Sequence, residues 1–176
     1  MADAAYFAWL ERHAAAMLAG DQELRVQAIR RSVEIKAAVV ARDERETSGE
    51  RALLNFGHTF GHAYEALAGY GDRLLHGEAV AIGMVKAARL STLLGHAPAE
   101  AARRLEAHLA TLGIATSPRR IRNEGFAVDA LLAAMGRDKK AEAGTVRFVL
   151  WHDVGEAFLT AAVDPATLDT VLQDDD

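Results

Sequence analysis

The sequence predicts a mainly α fold: a helical bundle with one small β-hairpin near the C-terminus. Three observations carry this. Apolar residues recur at helical spacing through most of the chain. Alanine is abundant while aromatics make up only 6% of residues, which leans helical. Close to the C-terminus the period changes, and β-branched and aromatic runs replace the helical pattern.

Residues 4 to 19 form the first helix and stop at Gly20, after which Asp21 is placed to cap a second helix running to about Val40. A charged stretch, 42 to 50, holds Thr47, Ser48 and Gly49 and reads as a loop. A third helix is expected from about Glu50 to Leu67, broken by Gly69, Gly71 and Asp72. His76 and Gly77 open a fourth, apolar on nearly every side and so expected at the centre of the bundle. Residues 98 to 112 form an amphipathic helix between Pro98 and Gly113, and a shorter helix follows Gly125 and ends near Met135. Runs 145 to 150 and 156 to 161 flank a turn with Asp153 and Gly155, the pattern of a hairpin. A last helix from Pro165 to Leu172 closes what is read as one domain over residues 1–176.

Composition narrows the function classes. With 176 residues the chain is long enough for a sizeable core. It has no cysteine, so a transition-metal site would have to use imidazole and carboxylate. The net charge of −5, with aspartates at 174 to 176, argues against a nucleic-acid partner. The longest strongly apolar run ends at Lys86, well short of the roughly 20 residues that cross a bilayer. No membrane segment or basic leader is expected, and the cytoplasm is the expected compartment.

The chemistry concentrates in residues 51 to 76, RALLNFGHTFGHAYEALAGYGDRLLH. On a continuous helix Arg51, Asn55, His58 and His62 fall at offsets 0, 4, 7 and 11, a single polar stripe among Leu53, Leu54, Phe56, Phe60 and Ala63. Gly57 and Gly61 each cost about 1 kcal/mol relative to alanine in a helix, so close packing or a nearby ligand is expected to offset them. Histidines four apart can reach one metal, which proposes His58 with His62. His76 is the rival partner, since the positive end of a helix dipole favours the neutral imidazole that a metal requires. Spacing does not choose between the pairs. Glu65 and Glu78 are the carboxylates placed to orient an imidazole.

Lys36 occupies a position of the apolar stripe, seven residues after Ile29. It is either a snorkelling lysine or a partly buried ammonium aimed at an anionic substrate group. Arg137, Asp138, Lys139 and Lys140 form a short basic loop, a type more often solvated than functional. His13, His96, His108 and His152 lack such company and are read as surface or core residues.

LNFGHTFGHAYE followed by GYGDRLLHGEAVAIGM resembles the signature of the 3-dehydroquinate synthase family, and the resemblance extends from IKAAVVARDERE to the RDKK loop. It implies a two-domain enzyme that converts 3-deoxy-arabino-heptulosonate 7-phosphate to 3-dehydroquinate and phosphate, with NAD and a divalent metal, Zn2+ or Co2+, as cofactors. In such enzymes NAD transiently oxidises a substrate hydroxyl, phosphate is eliminated, the ketone is reduced again and an intramolecular aldol closes the ring. Carried over residue by residue, His58 and His76 are metal ligands, and His62 hydrogen-bonds near the reacting centre. Lys36, Arg51 and Asn55 hold the substrate's phosphate, carboxylate or hydroxyls, and Lys139 or Lys140 completes the anion pocket. The partners implied are the anionic sugar phosphate and a second copy in a homodimer.

Two features of the family have no counterpart in this chain: the N-terminal NAD-binding half and the upstream glutamate that supplies a third metal ligand. No cofactor-binding glycine-rich loop occurs in the 176 residues. The isolated chain is therefore expected to bind metal weakly and to turn nothing over. The competing readings are a related sugar-phosphate cyclase, a non-catalytic truncated helical domain, and a relative of the iron-dependent alcohol dehydrogenases.

Overall fold

The computed structural model describes residues 2–45, 47–69, 73–120, 125–138 and 146–173. These form seven α-helices, two 3-10 turns and a two-stranded antiparallel hairpin near the C-terminus, as the sequence predicts. No helix among them is long and apolar enough to cross a membrane.

Helices α1 (Ala4–Leu18) and α2 (Gln22–Arg42) make an antiparallel pair around Gly20, whose φ of 113° no side-chain-bearing residue adopts comfortably. Each start is capped by an aspartate that accepts a backbone N–H three residues on: Asp3 from Tyr6 and Asp21 from Leu24. The Tyr6 hydroxyl donates to the Ala28 carbonyl, and Arg25 Nε donates to the Met17 carbonyl, tying the two helices along their length.

The expected helix from Glu50 to Leu67 is not continuous. Arg51–Asn55 is a 3-10 turn, Gly57 takes a left-handed φ of 84°, and α3 (His58–Ala68) starts only there. The single stripe of Arg51, Asn55, His58 and His62 is therefore divided between two elements. The reason is how closely the chain approaches α4 (His76–Leu93). A Cβ on Gly57 would lie 2.4 Å from the Met84 nitrogen, and one on Gly83 would lie 2.1 Å from the Gly57 carbonyl oxygen. A Cβ on Gly61 would come within 3.0 Å of the Ala79 oxygen. The glycines that look costly within a helix let two backbones touch, so packing offsets their helical penalty.

Helix α4 is the centre of the bundle, with Ala79, Ile82, Ala88 and Leu90 fully enclosed. Two polar groups are buried with it. Ser91 Oγ donates to the Ala87 carbonyl and accepts the Trp151 N–H. Lys86, 2% exposed, donates to the Val171 carbonyl in the last turn of α7 (Pro165–Gln173), where a cation complements the helix dipole. Around α4 lie α5 (Ala99–Thr111), α6 (Val128–Asp138) and the hairpin β1 (Phe148–Trp151) with β2 (Ala157–Thr160), paired Phe148 to Thr160 and Trp151 to Ala157. Arg137 and Asp138 belong to the end of α6 rather than to a loop. Lys139, Lys140 and the predicted start of the first strand at Thr145 lie outside the described residues.

Helix α2 turns Ile35 and Val39 toward the 3-10 turn and α1, across an apolar cleft that also receives Tyr6, Phe7, Leu53 and Leu54. Its other side leaves Val26, Ile29 and Val33 at least 60% exposed. Lys36 follows on that side and is exposed.

Candidate metal and anion site

Three imidazoles converge at the junction of α3 and α4. His58 opens α3 and His62 follows one turn later on the same face, while His76 is the first residue of α4. Their ring centroids form a near-equilateral triangle: 5.5 Å from His58 to His62, 5.8 Å from His58 to His76 and 6.0 Å from His62 to His76. The close backbone contact at Gly57, Gly61 and Gly83 fixes the distance between the two helices that bear them.

The environment of His58 favours the neutral imidazole. Burial pushes the His58 pKa below its ordinary value; the Phe56 and Asn55 carbonyls oppose this, and the neighbouring His62 and His76 reinforce it. His58 Nδ1 is buried without a hydrogen-bond partner. The Phe56 and Asn55 carbonyls act on the ring without a well-formed bond to this nitrogen, and a bound cation is one way to complete its polar environment. His76 is anchored: its Nδ1 lies 3.1 Å from Glu65 Oε2. Glu78 does not compete for this role, because its Oε2 accepts the Leu75 N–H and caps α4.

Two imidazoles that share a tetrahedral zinc hold their ring centres roughly 5 Å apart. The observed triangle is slightly wider. Among the described residues no group of three or more His, Asp or Glu side chains is assembled to hold a metal ion unaided. The donor set fits a divalent cation held by two of these imidazoles, with further ligands from elsewhere.

The other expected residues divide. Arg51 and Asn55 begin and end the 3-10 turn that leads into His58. Arg51 Nη1 donates to the Glu44 carbonyl, and Asn55 is exposed. Lys36 lies on α2, which packs against this turn, but its side chain is not enclosed.

Sequence reasoning missed Asp43. The residue is 4% exposed. Oδ1 accepts the backbone N–H groups of Thr47 (2.8 Å) and Ser48 (3.1 Å), and Oδ2 accepts that of Arg51 (3.1 Å). These bonds tie the backbone of Thr47, Ser48 and Arg51 to the end of α2. An aspartate followed by Thr-Ser-Gly was the available signal, since such residues fold back on local N–H groups. The N–H of Ser48, then that of Arg51, lowers the Asp43 pKa from 3.8 to about 2. The folded value lies below the unfolded one, so the stabilisation is complete above about pH 4 and fades as pH falls toward 2. Asp43→Asn is expected to be less stable than wild type at pH 7 and to lose less between pH 4 and pH 2. Urea midpoints at these pH values check this, and parallel curves would contradict it.

The profile of "3-dehydroquinate synthase C-terminal" matches residues 1–141. The chain belongs to the 3-dehydroquinate synthase family. It is 52% identical to the 3-dehydroquinate synthase of Paracoccus denitrificans over 172 residues, covering 98% of this chain and 46% of that protein. It is 51% identical to that of Rhodospirillum rubrum over 167 residues, covering 94% of this chain and 43% of that protein. The chain thus spans about half the length of these relatives. Among solved structures, 2-epi-5-epi-valiolone synthase from Streptomyces hygroscopicus, with NAD+ and Zn2+ bound, superposes with a TM-score of 0.82 at 23% identity, over 98% of this chain and 46% of that one. A 2-deoxy-scyllo-inosose synthase complexed with carbaglucose-6-phosphate, NAD+ and Co2+ gives a TM-score of 0.65 at 23% identity, over 84% of this chain and 40% of that one. At that identity the likeness is one of fold.

Proposed function

We propose that this chain is the metal-holding half of a 3-dehydroquinate synthase, acting on 3-deoxy-arabino-heptulosonate 7-phosphate to give 3-dehydroquinate and phosphate. The observation that carries the reading is the triangle of His58, His62 and His76, one of whose rings has a buried Nδ1 with no well-formed hydrogen bond. The 52% identity to the Paracoccus 3-dehydroquinate synthase, against 23% to the valiolone and inosose synthases, supports this substrate over those of the related cyclases.

In this reading His58 and His76 hold Zn2+ or Co2+. Such a cation polarises substrate hydroxyl oxygens and lowers their pKa. His62, on the same face as His58, exchanges a proton with substrate close to the cation. Arg51 and Asn55 meet the substrate's anionic groups at the mouth of the 3-10 turn, and Asp43 keeps Arg51 in place. Lys36 and one of Lys139 and Lys140 supply the remaining positive charge. NAD is held by the half of the relatives that this chain does not span.

The same reading gives a role to the exposed stripe of Val26, Ile29 and Val33, which ends at Lys36. Apolar surface in line with a substrate-facing lysine is where the other half closes over the site. Ile29→Glu/Val33→Glu is expected to leave the thermal midpoint of the isolated chain nearly unchanged, since exposed substitutions shift stability by about 0.5 kcal/mol or less. It is expected to destabilise a hybrid in which this chain follows the first half of the Paracoccus enzyme. Equal effects on both proteins would rule out docking there.

The hybrid also tests the function. It is expected to release phosphate from 3-deoxy-arabino-heptulosonate 7-phosphate when NAD and zinc are supplied, whereas the isolated chain releases none. Turnover by the isolated chain, or a folded hybrid that accepts only another sugar phosphate, would overturn the reading.

A further inference from the structure

Glu65 has no role in the proposed reaction, yet its carboxylate makes a directional contact to one of the three histidines, His76. It lies on α3 three residues after His62 and seven after His58, so all three side chains share the helix face that looks toward the start of α4. Its side chain is 20% exposed, against 57% for His76, so the more sheltered member of the pair is the carboxylate. The positive end of α4 lies beside it and favours an anion there.

We propose that Glu65 is the positioning residue that sets His76 for metal binding, an inference that rests on the metal reading above. An ionised carboxylate can only accept a hydrogen bond, so the 3.1 Å contact from His76 Nδ1 to Glu65 Oε2 requires the proton to sit on Nδ1. In the neutral ring the lone pair is then on Nε2, the nitrogen not engaged by Glu65. The contact also restrains rotation of a side chain that is otherwise exposed. Glu65 thereby selects both which nitrogen of His76 donates to the cation and where that nitrogen points. Such carboxylate contacts behind a ligating histidine typically change metal affinity 10–100-fold.

The test uses the whole chain with two variants, Glu65→Ala and Glu65→Gln. Long-range proton–nitrogen spectra of the metal-free proteins, taken at about pH 8 where free imidazole is neutral, report the His76 tautomer. Cobalt titration with its visible absorption reports affinity and ligand geometry. The expected wild-type tautomer carries its proton on Nδ1. Glu65→Ala is expected to shift the ring toward the Nε2–H form and to weaken Co2+ binding roughly 10–100-fold. Glu65→Gln keeps a carbonyl acceptor, so it is expected to retain the tautomer and lose less affinity. A wild-type His76 protonated on Nε2, or an alanine variant unchanged in both tautomer and affinity, would overturn the proposal. If the wild-type chain binds no Co2+, the metal reading falls, and the tautomer comparison alone decides whether Glu65 sets the ring.

Discussion

Gly83→Ala is expected to be the most damaging conservative change in this chain, lowering its thermal midpoint by roughly 6–12 °C if the loss is about 3 kcal/mol. The added carbon would sit 2.1 Å from the Gly57 carbonyl oxygen and 2.7 Å from the Gly61 nitrogen. Both are backbone atoms, which cannot rotate away as a side chain can. Helices α3 and α4 must separate, and with them His58 and His62 move from His76. Gly136→Ala is the matched control: it lies within α6, has open space where the new carbon would sit, and keeps a helical backbone. That change is expected to stabilise the chain by up to about 1 kcal/mol, the ordinary helical gain of alanine over glycine. Thermal or urea unfolding of the two variants checks the pair. A Gly83→Ala protein as stable as wild type would mean that α3 and α4 are not in backbone contact.

The second large effect concerns the histidines, read in the hybrid with the Paracoccus first half. His58→Ala and His76→Ala are each expected to lower kcat/KM about 10³-fold or more. Loss of a Lewis acid removes several kcal/mol of transition-state stabilisation, and about 1.4 kcal/mol corresponds to each factor of ten. Both variants are also expected to lose bound zinc. His62→Ala separates the roles: a proton-transfer residue contributes typically 10²–10⁴-fold, so turnover falls while zinc content stays near wild type. Metal analysis alongside initial rates distinguishes these outcomes. Zinc lost with His62 and retained without His76 would reverse the assignment.

Much of the fold was legible in the sequence because its signals are local. Asp21 after Gly20, Pro98 before an amphipathic run, and Gly155 between two β-branched runs each specify their own turn or cap, and the structure has them at those places. The break between Asn55 and His58 was not legible. Periodicity favours one helix there, and the interruption arises from contact with Gly83, which is distant in sequence. Lys86 was hidden for the same reason, since its partner is a carbonyl 85 residues away.

For the site, the identity of the candidate residues was readable and their pairing was not. Spacing left His62 and His76 as rivals for His58. The structure brings all three rings within 6.0 Å of one another, so distance does not separate the rivals either. The Glu65 contact engages one nitrogen of His76 and so bears on how that ring can be used. Lys36 stands apart from the trio because an exposed lysine on α2 gains a binding role only when another surface closes over it.

Calorimetric titration of the isolated chain with zinc, alongside His58→Ala, His62→Ala and His76→Ala, tests the metal assignment most directly. One weakly held zinc per chain is predicted, lost in the His58 and His76 variants and kept in the His62 variant. Binding that survives removal of both His58 and His76, or that disappears only with His62, would contradict it.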